Sequence, residues 1–129
     1  MDKYEYNLRY DEIKELKEQG EYQRAVEIAD TIDWTRVRSV NTLCYISDLY
    51  KINGKYEEAR ILLEQAYSKI SPDKAVGKSI VYSLCEICIK MGDVVGATEY
   101  YKRFVQMAPT NNKKFILLYK IYEAQDVSL

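Results

Sequence analysis

The amino-acid sequence predicts an all-α fold, an α-α superhelix of about seven helices arranged as three antiparallel pairs plus one unpaired helix. Three observations predict it. The pattern Gly-x-[Tyr/Val]-x-x-Ala occurs three times, as Gly20-Glu21-Tyr22-Gln23-Arg24-Ala25, Gly54-Lys55-Tyr56-Glu57-Glu58-Ala59 and Gly92-Asp93-Val94-Val95-Gly96-Ala97. The glycines lie 34 and 38 residues apart, a period that marks a helical-repeat solenoid. Between the glycines, apolar residues recur at helical spacing, no strand alternation is found, and the connections are short.

The elements follow in order. Residues 5–19 read as a helix, with Leu8, Ile13 and Leu16 among Glu and Lys, and Gly20 ends it. A glycine just past a helix end supplies the left-handed residue that caps the free carbonyls. A second helix runs from about Glu21 to Ile32, with Tyr22, Ala25, Val26, Ile28, Ala29 and Ile32 as its apolar set. Asp33-Trp34-Thr35 reads as a connection. Ser39 is a candidate N-cap for a buried helix carrying Leu43, Tyr45, Ile46, Leu49, Tyr50 and Ile52, stopped by Asn53-Gly54. The return helix runs from Lys55 to Ile70 and stops at Ser71-Pro72-Asp73. A third pair spans about Ala75 to Met91 and Val94 to Met107, ended by Ala108-Pro109, since proline cannot donate the next helical hydrogen bond. The seventh helix runs from about Asn112 to Ala124. Short connections force neighbouring helices antiparallel, and the pairs stack. The chain is one domain, 1–129, with units of approximately 6–38, 39–74, 75–111 and a partial 112–125.

Composition narrows the function. The 129 residues carry 19 basic and 20 acidic side chains in mixed order, a formal net charge of −1, which argues against a nucleic-acid partner. The first ten residues are too charged for a signal-peptide core, and the longest strongly apolar run, Phe115 to Tyr119, is far too short for a bilayer. No membrane contact is expected of this segment, and the expected location is cytoplasmic. Three cysteines and no histidine argue against a disulfide framework and remove the commonest general base and metal ligand. Thirteen tyrosines, against two Phe and one Trp, suit half-buried packing surfaces.

No nucleophile-base pair, phosphate loop or clustered carboxylate set stands out, so the expectation is a non-enzyme without a cofactor. Cys85-Glu86-Ile87-Cys88 is a Cys-x-x-Cys in mid-helix with no second pair, whereas a zinc site needs about four ligands. Packing is the expected role of both cysteines, with no metal.

The residues Tyr50, Gly54, Tyr56, Ala59, Leu63 and Ala66 of the second unit, with Pro72 one place late, resemble the tetratricopeptide repeat family, and so do Gly92, Ala97, Tyr101 and Pro109 of the third. Phe115, Tyr119 and Tyr122 begin a fourth unit in the same register. The first unit departs from the pattern, with Arg9 and Glu12 at core positions, as a terminal repeat with one face in water does. The longer second period places four extra residues around Ser71 to Lys78.

The resemblance implies a protein-interaction module, a scaffold or adaptor, with the first helix of each pair lining a concave groove for a peptide or protein segment. The implied groove positions are Asn7, Tyr10, Lys14 and Lys17, then Asn41, Cys44, Asp48 and Lys51, then Ser79, Tyr82 and Glu86, then Lys113, Ile116 and Lys120. Basic groups stand at both ends with Asp48 and Glu86 between them. Some family members grip a C-terminal carboxylate with Lys, Asn and Arg; the matching positions here hold Tyr10, Lys14, Tyr45, Ser79 and Ser83, so no such clamp is expected. The alternatives are a peptide-sensing domain of a larger regulator and, behind it, an RNA-binding helical repeat.

The last helix is apolar nearly all round, whereas a terminal helix facing water needs a polar face. Phe115, Leu118, Tyr119 and Tyr122 are its candidate interface. Two covers are open: missing C-terminal repeats of a longer array, favoured because the fourth unit stops after one helix, or a second copy in a homodimer.

Overall fold

The protein, seen in a computed structural model, is described over residues 1–70 and 74–127. Among these residues it is all-helical: α1 (Lys3–Glu18), α2 (Tyr22–Ala29), α3 (Val40–Ile52), α4 (Tyr56–Tyr67), α5 (Ala75–Met91), α6 (Val94–Met107) and α7 (Lys113–Val127). Each helix packs mainly on its neighbours in the chain. The odd-numbered helices lie side by side, linked from α1 to α3 by Tyr10 against Tyr45 and from α5 to α7 by Lys120 on Glu86. The even-numbered helices form the other layer, linked by Lys55 with Asp30 and by Tyr100 donating to Glu64.

The three repeat glycines make one motif three times. Gly20, Gly54 and Gly92 have φ of 78°, 74° and 75°, the left-handed region that an L side chain resists. In each turn the glycine N–H donates three residues back and the next N–H donates five residues back: Glu21 to Leu16, Lys55 to Tyr50 and Asp93 to Cys88, each at 2.9 Å. This double closure satisfies the last carbonyls of the first helix and reverses the chain within two residues.

Five residues past each glycine stands a buried alanine: Ala25, Ala59 and Ala97. Facing them are Ile13, Ser47 and Cys85, all buried. The Ser47 hydroxyl donates to the Ala59 carbonyl at 2.9 Å, and the Cys85 thiol donates to the Ala97 carbonyl at 3.3 Å. Two repeats thus close their helix pairs with the same side-chain bond across the same spacing, one through oxygen and one through sulfur. A larger side chain on either partner would push the helices apart.

Several boundaries differ from the sequence expectation. α2 ends at Ala29 rather than near Ile32, and the chain continues into a 3-10 turn, Trp34–Arg36. Trp34, read as part of a connection, is buried. α4 ends at Tyr67, short of Ile70, because Ser68 caps it and turns back to the Gln65 carbonyl. Tyr22 and Ile52, expected in the core, are exposed, since each lies beside a turn where the neighbouring helix has not begun or has already ended. The Ser39 N-cap is present, its hydroxyl accepting from Thr42 N–H at 3.2 Å. The added length of the second period enters partly as helix: α5 has 17 residues where α3 has 13. Ser71-Pro72-Asp73, the expected stop of the return helix, lies outside the described residues.

Arg9, an unfavourable residue at a core position, is accommodated at the rim. Its guanidinium donates to the Thr31 hydroxyl at 2.9 Å, which ties α1 to the end of α2. The first unit is finished by a polar clasp where later units use apolar contacts.

A buried phenol, Tyr50, and a half-buried one, Tyr100, give the fold a pH signature. Tyr50 donates to Asp30 at 2.7 Å, and Tyr100 donates to Glu64. Burial first, and the carboxylate partner second, push both phenols well above the ordinary value of 10.0. A group whose folded pKa is raised stabilises the fold fully below its unfolded value and loses that contribution as pH rises through the folded value. Urea stability is therefore expected to fall as pH climbs past 10, and Tyr50→Phe is expected to flatten part of that fall. An identical alkaline slope in the variant would remove Tyr50 from the account.

Candidate functional site

The odd-numbered helices α1, α3, α5 and α7 bring most of the expected groove residues to one face. Tyr10 meets Tyr45 edge-on, ring centroids 6.2 Å apart, and Lys14 lies 4.7 Å over the Tyr10 ring. Lys17 reaches from α1 to Asp48 on α3 at 3.0 Å and stands 3.9 Å over the Tyr45 ring. At the other end Lys120 of α7 reaches Glu86 of α5 at 2.8 Å, and that carboxylate holds the Lys120 ammonium above its ordinary value. Lys113 stands 5.8 Å over Tyr82, whose ring packs edge-on against Phe104.

These contacts change the electrostatics that the sequence implies. The sequence places Asp48 and Glu86 between the basic groups at the two ends of the groove. Each is neutralised by a lysine from the adjacent odd helix, Asp48 by Lys17 and Glu86 by Lys120. The acids serve as inter-repeat links. Partly exposed pairs of this kind contribute on the order of 0–1 kcal/mol each.

Two clefts open on the same face. One lies between α3 and α5, with a volume of about 220 Å³; its walls include Cys44, Asp48, Lys51 and Ser83, with Leu63 and Ile87 as apolar floor. The other, about 210 Å³, lies between α5 and the start of α7 and is lined by Lys78, Tyr82, Phe104 and Lys113. Ser79, exposed on α5, lines both, so the clefts meet there. Asn7 and Asn41 are exposed on α1 and α3, away from both clefts. Ile116 is exposed on α7.

Sequence reasoning missed Lys78, Ser83 and Val76 as cleft residues. Val76 and Lys78 belong to the lengthened start of α5, where the extra residues were the available signal, and Ser83 lies one helical turn on from Ser79.

The thiols are poor nucleophiles. Cys85 and Cys88 are fully buried and face the return helix α6; Cys44 is half-buried in the cleft wall. Burial, and then the neighbouring Cys88, push the Cys85 thiol up to about 12, and burial raises Cys88 and Cys44 as well. The thiolate is the reactive form, so this environment suppresses reactivity. Among the described residues no group of three or more His, Cys, Asp or Glu is placed to hold a metal ion. Nor is any described helix long and apolar enough to cross a membrane.

On α7, Leu117 and Ile121 are buried against the array, while Phe115, Tyr119 and Tyr122 are exposed and Leu118 is half-buried. One repeat earlier, the same register holds Val81, Leu84, Cys85 and Cys88; one repeat before that, Leu43, Ile46, Ser47 and Tyr50. All eight are buried, and Ser47 and Cys85 bond directly to the return helices α4 and α6. The exposed stripe of α7 is thus the face that a return helix covers elsewhere in the chain. Tyr119 stands where Ser47 and Cys85 bond to the facing alanine carbonyl, and a ring there forbids the same close approach.

No protein-family model matches the chain, and no curated protein matches its sequence.

Proposed function

We propose that the chain is a non-catalytic protein-interaction module that takes a peptide or protein segment along the face of α1, α3, α5 and α7. The observation that carries this reading is the pair of connected clefts meeting at Ser79, lined by apolar floor residues, hydroxyls and lysines. Such a mixture suits an extended segment whose side chains enter pockets while polar groups fix its register. The suppressed thiols fit the same reading, and so does the sequence resemblance to tetratricopeptide repeats. The scaffold is stiffened by aromatic contacts and inter-repeat ion pairs on either side of the clefts, so that little ordering is required on binding.

A random-peptide display selection against the whole chain tests it. Enriched peptides are expected to lose binding to Ser79→Trp, which fills the junction of the clefts from an exposed position, and to keep binding to Lys102→Glu on α6. A selection that enriches nothing, or only peptides indifferent to Ser79→Trp, overturns the reading.

A further inference from the structure

The charge left over in the two clefts, once internal pairs are removed, has one sign among the described residues. Among the described residues Asp48 is the only carboxylate lining either cleft, and Lys17 neutralises it at 3.0 Å. Lys14 is paired with Asp11, and Lys120 with Glu86. Lys51, Lys78 and Lys113 remain, lining the two clefts with no carboxylate within ion-pair distance among the described residues. Among the described residues, three cations without an ion-pair partner therefore line the clefts on the two sides of α5, in a chain of formal net charge −1. Unpaired like charges held on a partly enclosed surface repel one another and raise the local potential for anions.

The clefts also define what accompanies the negative charge. Between α3 and α5 the floor is Leu63, Ile80 and Ile87, apolar and buried, with the Ser79 and Ser83 hydroxyls above it and Lys51 at the edge. A side chain entering there is aliphatic, and its neighbours along the segment meet lysine. Resting on the interaction-module reading above, we propose that this face recognises an acidic segment of a partner protein, extended across α5, with an aliphatic residue in the α3–α5 cleft and flanking carboxylates on Lys51, Lys78 and Lys113. A polypeptide fits better than a nucleic acid. The face rings Tyr10 and Tyr82 are already packed edge-on against Tyr45 and Phe104, which leaves few free stacking platforms.

The test uses the whole chain and short, doubly blocked fluorescent peptides that alternate Leu with Glu, with Gln or with Lys. The Glu peptide is expected to bind best, with affinity falling as salt rises. The double variant Lys51→Glu/Lys113→Glu is expected to weaken it by roughly tenfold or more and to improve the Lys peptide. Lys102→Glu serves as the control on α6, and far-UV circular dichroism checks that each variant is folded. Equal binding of Glu and Gln peptides, unmoved by the double variant, overturns the acidic preference and leaves the interaction module standing. No binding by any of the peptides, together with an empty display selection, sinks both readings. Tighter binding of single-stranded RNA at the same lysines overturns the proposal in favour of a nucleic-acid partner.

Discussion

Phe104→Ala is expected to destabilise the protein by about 3–5 kcal/mol, lowering its melting temperature by on the order of 10–20 °C. Phe104 is the largest fully buried side chain described. It sits on α6 within the second core cluster, with Val81, Cys85, Ala97, Leu117 and Ile121, and joins α5, α6 and α7. Its removal leaves a cavity that three helices would have to collapse together to fill, which they do incompletely. The Tyr82 ring, 5.5 Å away, also loses its edge-on partner, a contact of about 0.5–1.5 kcal/mol. The loss is expected to be regional. Hydrogen exchange is expected to rise through α6 and α7 while the first cluster, centred on α1 to α4, keeps its protection, because a stacked array couples mainly nearest neighbours. Because Phe104 also lines the α5–α7 cleft, peptide binding is expected to weaken with it. A loss below about 1 kcal/mol in urea denaturation would contradict the role given to Phe104.

Trp34→Ala is expected to cost a similar amount, about 3–5 kcal/mol. The indole N–H donates to the Ala29 carbonyl at 2.9 Å, its ring meets Tyr6 edge-on at 6.2 Å, and its backbone carbonyl accepts from Gln65 Nε2 at 2.7 Å. One residue of a 3-10 turn therefore joins α1, α2 and α4. Trp34→Phe separates packing from hydrogen bonding. It keeps an aromatic ring and drops the N–H, and the Ala29 carbonyl still accepts from Ile32 N–H at 3.1 Å, so a loss of about 1 kcal/mol is expected. Trp34 is the only tryptophan in the chain, so its emission reports this junction alone. The native spectrum is expected to be blue-shifted relative to the unfolded chain. A red, solvent-like native emission, or wild-type stability in Trp34→Ala, would contradict its burial.

Trp34 also shows where sequence legibility stops. Periodicity identifies a residue as apolar within a helix; it says nothing of a ring in a connection that folds back on three helices. The same limit applies to Asp48 and Glu86. Their groove register was readable, and their partners were not, because Lys17 and Lys120 lie on other helices, 31 and 34 residues away along the chain. Lys78 entered the cleft through the lengthened first turn of α5, which a fixed repeat register passes over.

What the sequence determined by itself is local. Three glycines in positive φ, each closing a helix with the same pair of backbone bonds, and three alanines five residues on set the helix pairs and their order. Those features depend on bonds between residues a few positions apart, so a single chain displays them. Only the tertiary structure decided the character of the candidate site: which acids are neutralised, which lysines are left over, where the clefts meet, and that the stripe on α7 is the face covered elsewhere by a return helix. These depend on contacts between different helices, fixed by side-chain packing, and no period in the sequence encodes them.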